Sequence, residues 1–272
     1  SRLPPISKQA LSGPAMVKII VLHSYRGGTG KTNIAANLAA ELARRGRRLA
    51  VVDADIQSPG VHVPFGVDPT AGMTLNDFLW GRCAIERAAR DVTAAVEHAL
   101  PAGSEPMLGR VSLVPSSVRS GDIARVLKEG YEVELLNDGL NELCRRLALD
   151  VLVIDTHPGL NEETLLSIAI ADIALILLRP DHQDYQGTAV TLELARRLAV
   201  PRIVLALNKV HPDFDRSTLA ANIAATYEEP VGAIFPLADE LVRLGSAGFV
   251  AFVHPEREFA AELRRLATLV DG

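Results

Sequence analysis

The sequence predicts an α/β fold: a single doubly wound, mostly parallel sheet of about seven or eight strands with helices on both faces. Three observations carry this expectation. Short β-branched runs alternate with longer segments rich in Ala, Leu and Arg. Most of those runs are continuously apolar, as strands must be when helices cover both sides of a parallel sheet. The rhythm then persists to the end of the chain with no internal repeat and no low-complexity tract.

In chain order, the expected strands are Val17 to His23, Leu49 to Asp53, Arg110 to Pro115, Val151 to Asp155, Ile173 to Leu178, Ile203 to Leu207 and Val231 to Phe235. The helix expected over Lys31 to Arg45 has Ile34, Leu38 and Leu42 on one face and Gly46 as its stop. Glu132 to Leu147 carries Leu135, Leu136, Leu140, Leu143 and Leu147 at helical spacing, and Asp184 to Leu198 and Pro255 to Val270 read likewise. Pro101 to Gly109 is rich in turn-forming residues and reads as an exposed loop. Residues 1–15 read as a flexible extension or an expression remnant, and 16–272 as one domain.

Composition narrows the classes. Of the 272 residues, 48% are hydrophobic and 22% charged, which suits a chain with a substantial core. Lys and Arg total 28 against 33 for Asp and Glu, and a net charge of −5 gives no global attraction to nucleic acid or anionic lipid. The longest nearly apolar run, Ile168 to Leu178, is interrupted by Asp172 and falls well short of the ~20 residues that cross a bilayer. Cys83 and Cys144 are the only cysteines and form no CxxC, which argues against a disulfide framework or an iron–sulfur or zinc site. The expected location is the cytoplasm.

The chemistry begins between the first strand and the first helix, at Ser24-Tyr25-Arg26-Gly27-Gly28-Thr29-Gly30-Lys31-Thr32. Glycines let backbone N–H groups close around an anion at a helix N-terminus. Lys31 supplies a point charge for the β- and γ-phosphates and Thr32 a hydroxyl for Mg²⁺, with Gly27, Gly28, Thr29, Gly30 and Asn33 completing the segment. A simple strand-to-helix turn would need the glycines but not the Lys-Thr pair. Tyr25 stands where the usual pattern begins with glycine, and Arg26 adds a second cation.

Three further strand ends carry polar residues. The second strand ends in Asp53-Ala54-Asp55-Ile56-Gln57, a pair of acids that a plain turn cap would also explain. The fourth ends in Asp155-Thr156-His157-Pro158-Gly159, at the rim where open α/β sheets bind ligands, and Asp155 can reach Mg²⁺ through water. His157 reads as a solvated loop histidine, the alternative being a contact near the γ-phosphate. Asn208, expected just past a strand end, has an amide able to satisfy a donor and an acceptor on an adenine edge, or to end the strand.

The Arg26–Thr32 segment resembles the deviant Walker A motif of the MinD/ParA family of P-loop ATPases, with Arg26 in place of the signature lysine. The Asp53-x-Asp55-x-Gln57 run resembles that family's switch I, Val151 to Gly159 its Walker B strand and switch II, and Asn208-Lys209 its base-reading motif. Thr74 to Leu79 resembles a further family segment, and Pro236 the loop flanking adenine. The resemblance implies ATP and Mg²⁺ as cofactors, with Thr32, Asp53 and Asp155 at the metal. It makes Lys31, Asp55 and Arg26 catalytic, with Asp55 orienting the attacking water and Arg26 reaching a partner's nucleotide, or remaining an exposed loop cation.

The activity so implied is an ATP-dependent dimerising switch that hydrolyses ATP slowly to position or partition a cellular cargo. Its partners would be a second copy of the chain in the ATP state and an activating or cargo adaptor protein; nonspecific DNA is a further candidate if doublets such as Arg196-Arg197 and Arg264-Arg265 form a basic surface, the alternative being that they reflect an Arg-rich composition alone. The last helix, with Phe259, Leu263, Leu266 and Val270 on one face and mixed charges on the other, reads as core-packing and not as a membrane contact. Two alternatives stay open. One is a nonhydrolysing nucleotide-binding adaptor of the polar-landmark or pilus-assembly type, suggested by Arg26 and His157. The other is an ATP-dependent ligase resembling dethiobiotin synthetase.

Overall fold

The computed structural model describes residues 17–272, so the expectation for residues 1–15 lies outside the described residues. In chain order the strands are β1 (Lys18–His23), β2 (Arg48–Ala54), β3 (Arg90–Asp91), β4 (Arg110–Val114), β5 (Val151–Thr156), β6 (Ile173–Leu178), β7 (Arg202–Val210) and β8 (Val231–Pro236). The helices are α1 (Lys31–Arg44), α2 (Leu75–Leu79), α3 (Ile85–Ala88), α4 (Thr93–His98), α5 (Ser120–Glu129), α6 (Val133–Arg146), α7 (Glu162–Ala169), α8 (His182–Arg197), α9 (Arg216–Tyr227), α10 (Asp239–Arg243), α11 (Val250–Val253) and α12 (Glu258–Asp271).

One eight-stranded sheet runs in the order β3-β4-β2-β5-β1-β6-β7-β8, parallel throughout except for the antiparallel two-residue edge strand β3. The expected fold class is therefore the observed one. Strand residues alternate between two cores. Ile20, Leu22, Leu49 and Val51 pack on one face with α1, α11 and α12, whereas Ile19, Val21, Ala50 and Val52 pack on the other with α6, α7, α8 and α9. Continuous apolar strands follow from this double covering. On α12 the residues Phe259, Leu263, Leu266 and Val270 are buried, and the helix packs on α1 and β8, as its spacing predicts.

Boundaries differ where a cap decides them. Helix α8 starts two residues before the expected Asp184, because the Asp181 carboxylate accepts the N–H groups of Gln183 and Asp184 and so stabilises an earlier first turn. Strand β7 runs past Leu207 to Val210, so Asn208 lies within a strand and not beyond its end. Its pairing with β8 is irregular between Leu207 and Val210, and Lys209 takes a left-handed φ of 57° at that irregularity.

Strand β1 lies between β5 and β6, while the chain leaving it through α1 arrives at β2, beyond β5. Strand order reverses there, and the crevice at the C-terminal ends of the strands is where such sheets bind ligands. The β2–β5 register pairs Asp53 with Asp155, which brings two acids a hundred residues apart to one point on that rim.

Candidate nucleotide site

The loop from Ser24 to Gly30 is shaped by glycine conformations and by its own hydrogen bonds. Gly28 and Gly30 have φ of 75° and 93°, values that side-chain-bearing residues rarely adopt, and Gly30 is also the N-cap of α1. A Cβ at Gly30 would collide with the Asn208 amide. The Thr29 hydroxyl donates to Ser24 Oγ (2.9 Å) and the Ser24 hydroxyl to Arg26 O (2.7 Å). From β7, Asn208 Nδ2 donates to Thr29 O and Lys209 Nζ to Gly28 O, both at 2.7 Å. The loop is thus fixed by side chains from a distant strand.

This loop borders a cavity of about 590 Å³ whose other walls come from Asp55, Ser58, Pro158, Pro236, Leu237, Leu241 and Val242. Lys31 is 6% exposed at the mouth of α1, and the free N–H groups of that helix point the same way. Lysine and helix N-terminus together would favour an anion at the loop end of the cavity.

Behind Thr32 sits a pair of buried acids. The Thr32 hydroxyl donates to Asp155 Oδ2 at 2.7 Å, and Asp155 Oδ1 is buried with no hydrogen bond. Asp53 Oδ2 accepts the N–H groups of Gly60 (3.0 Å) and Val61 (3.2 Å), while its Oδ1 is likewise buried and unpartnered. Burial pushes the Asp155 carboxyl up to about 6 against the pull of Lys31, and burial beside Asp155 and Asp55 lifts Asp53 well above the usual carboxylate range. Two orphaned acid oxygens next to a threonine hydroxyl are the surroundings a divalent cation would relieve. Among the described residues no group of three His, Cys, Asp or Glu side chains is arranged to hold a metal unaided. Magnesium at this position would therefore draw most of its ligands from phosphate and water.

The strand leading into the loop ends in a histidine with a structural part. His23 is fully buried, its Nδ1 is 2.9 Å from Thr156 Oγ1, and burial together with Lys31 and His157 pushes its imidazole down to about 3. It joins β1 to β5 as a neutral ring.

Residues 17–200 match the family model described as an AAA domain. The chain is 27% identical over 258 residues to a protein of Methanocaldococcus jannaschii described only as ATP-binding, an alignment that covers 94% of this chain and 89% of that one. It is 27% identical over 198 residues to the septum site-determining protein MinD of Synechocystis, covering 73% and 66%. Among solved structures, that of MinD from Pyrococcus horikoshii in complex with Mg-ADP superposes with a TM-score of 0.76 at 22% identity, covering 94% of this chain and 96% of that one. This chain belongs to the MinD/ParA family of P-loop ATPases.

As a MinD/ParA family member the chain gathers most of the residues singled out from its sequence. Gly27, Gly28, Gly30, Lys31, Thr32, Asn33, Asp55, Asn208 and Pro236 all border the cavity, whereas Thr29, Asp53 and Asp155 support it from behind. Arg26 does not border it. Its guanidinium stands 3.9 Å from both Asp181 and Asp184, acids that Arg179 also holds at 3.1 and 3.0 Å. Asn208 spends one amide N–H on the loop, and its Oδ1 accepts from Lys209 N, which leaves one N–H and one lone pair for a base.

His157 is no solvated loop residue: Nδ1 lies 2.7 Å from Asp55 Oδ1, and the ring is 27% exposed. Sequence reading also missed Ser246, whose hydroxyl accepts from Asn33 Nδ2 (3.2 Å), and the apolar residues Leu237, Leu241 and Val242. No spacing signals them, since they lie on a short helix and its flanking turns, and only the approach of that segment to α1 brings them to the cavity.

Proposed function

We propose that this chain is an ATP- and Mg²⁺-dependent switch that hydrolyses ATP slowly in the cytoplasm and, as a homodimer in its ATP state, positions or partitions a cellular cargo with an adaptor or activator protein. The observation that carries this reading is the Lys31–Thr32–Asp155–Asp53 arrangement: a cation and a hydroxyl at the glycine-lined end of one cavity, with two orphaned carboxylate oxygens buried behind them.

Each residue has a derivable task. Lys31 and the N–H groups of α1 would neutralise β- and γ-phosphate oxygens, and the Thr32 hydroxyl with Asp155 and Asp53 would hold Mg²⁺. Magnesium, when bound, supplies further charge neutralisation on the phosphates. Asp55, at the cavity wall, can accept a hydrogen bond from a water and fix its line of approach, which is most of what phosphoryl transfer asks of a protein. Arg26 faces away from its own cavity, and release from Asp181 and Asp184 would free its charge for a partner's nucleotide. Nonspecific DNA is a candidate surface for the dimer.

The test is nucleotide titration by calorimetry followed by molar mass from light scattering. With Mg-ATP the wild type should bind and double its mass, Asp55→Ala should remain a trapped dimer, and Lys31→Ala should stay monomeric. Absence of adenine-nucleotide binding would overturn the reading. A second reading, a nonhydrolysing adaptor, is favoured by the in-chain pairing of Arg26 with Asp181 and Asp184, and it is met if ATP binds with no phosphate released.

A further inference from the structure

We infer that His157 is a positioning residue for Asp55, an imidazole clamp that ties the loop after β5 to the loop after β2 and fixes the plane of the carboxylate that faces the γ-phosphate end of the cavity. The inference rests on the proposed role of Asp55 in orienting water.

The geometry is specific. His157 Nδ1 and Ser58 N both lie within hydrogen-bond distance of the same oxygen, Asp55 Oδ1, at 2.7 and 3.1 Å. No hydrogen bond from the described residues reaches Oδ2, which is left to accept from solvent or substrate. A free aspartate rotates about its terminal bond, and two donors on one oxygen stop that rotation in a defined sense. The imidazole itself stands on a fixed backbone. Thr164 Oγ1, in the first turn of α7, donates to His157 O (3.3 Å), and Gly159 N donates to Ser24 O (3.1 Å) at the base of the glycine loop. Asn161 in turn caps α7 by accepting from Thr164 N (2.8 Å). Displacement of either loop therefore moves the carboxylate.

No proton transfer is assigned to His157. Its contribution is orientation, and misplacement of a reacting group by about 1 Å can cost on the order of a hundredfold in rate. An alanine or proline at 157 has no donor to offer, whereas the amide nitrogen of an asparagine falls close to the place of Nδ1.

The experiment compares wild type, His157→Ala and His157→Asn. We expect His157→Ala to lower kcat for ATP about tenfold to a hundredfold while the Kd for a fluorescent ATP analogue with Mg²⁺ stays within about twofold, and His157→Asn to recover most of the rate. An unchanged kcat in His157→Ala, or a Kd that rises as far as kcat falls, overturns the inference. The ring nitrogens of His157, observed by ¹⁵N NMR in the nucleotide-free protein, give a readout independent of turnover. Their resonances should show a proton on Nδ1 and shift in Asp55→Ala, and insensitivity to that substitution also overturns the clamp. A wild type that binds ATP without turning it over refutes the hydrolytic reading, and a bonded imidazole in such a protein refutes the positioning role.

Discussion

The two ends of the cavity are built differently. At the phosphate end, Lys31, Asp53 and Asp155 are buried, and the loop they face is held by hydrogen bonds from Ser24, Thr29, Asn208 and Lys209. At the other end, where the proposed nucleotide would seat its base beside Pro236, α10 contributes no buried residue, and Leu237 and Val242 are 49% and 78% exposed. Charge recognition demands preset donors, because groups that must reorganise after binding lose most of their advantage in a dry site. Apolar recognition of a base needs only surface that becomes covered, and Leu237, just before α10, together with Val242 on that five-residue helix would provide it at little cost to the fold.

The largest effect is expected at Lys31, on the phosphate end. Lys31→Ala should weaken ATP binding about a hundredfold or more, and tripolyphosphate binding equally, because the lost interaction is charge-assisted and buried. Asn208→Ala separates the two ends next. If the amide serves mainly to hold Thr29 O, affinity for ATP and for tripolyphosphate should both fall, by about tenfold, at the net worth of a buried hydrogen bond. A loss confined to ATP would return Asn208 to the base end.

Asp155→Asn should move stability and binding in opposite directions. Because the folded-state pKa of Asp155 is raised to about 6, its contribution to stability is complete below about pH 4 and lost as the pH rises through 6, when a charge must be buried. At pH 7.5 the neutral amide avoids that penalty, still accepts from Thr32, and should raise the melting temperature of the nucleotide-free protein by a few degrees. The same substitution should reduce the gain in nucleotide affinity on adding Mg²⁺ about tenfold, read by calorimetry with and without EDTA. The smallest effect belongs to the base end, where Val242→Ala should weaken ATP about twofold to threefold and leave tripolyphosphate untouched.

Much of this was legible without coordinates where the information is local. The glycine loop, Lys31 and Thr32 are contiguous, and a strand before and a helix after them suffice to define a phosphate cradle. The limits of α8 and β7 were not legible to the residue. The first depends on a cap whose strength is set by φ and ψ, and the second on how β8 pairs beyond Leu207. His157 was misread because its partner, Asp55, lies three strands earlier in the sequence, and only the pairing of β2 with β5 brings the two loops together.

The sequence by itself therefore determined the doubly covered parallel sheet and the phosphate loop, since apolar continuity and glycine–lysine–threonine chemistry act over a few neighbouring residues. Only the tertiary structure decided the Asp53–Asp155 pair, the His157–Asp55 clamp, the grip of Asn208 on the loop and the turning of Arg26 toward Asp181 and Asp184. Those contacts join residues far apart in the chain, and strand order and register, fixed by packing the whole sheet between its two layers of helices, choose which strand ends meet.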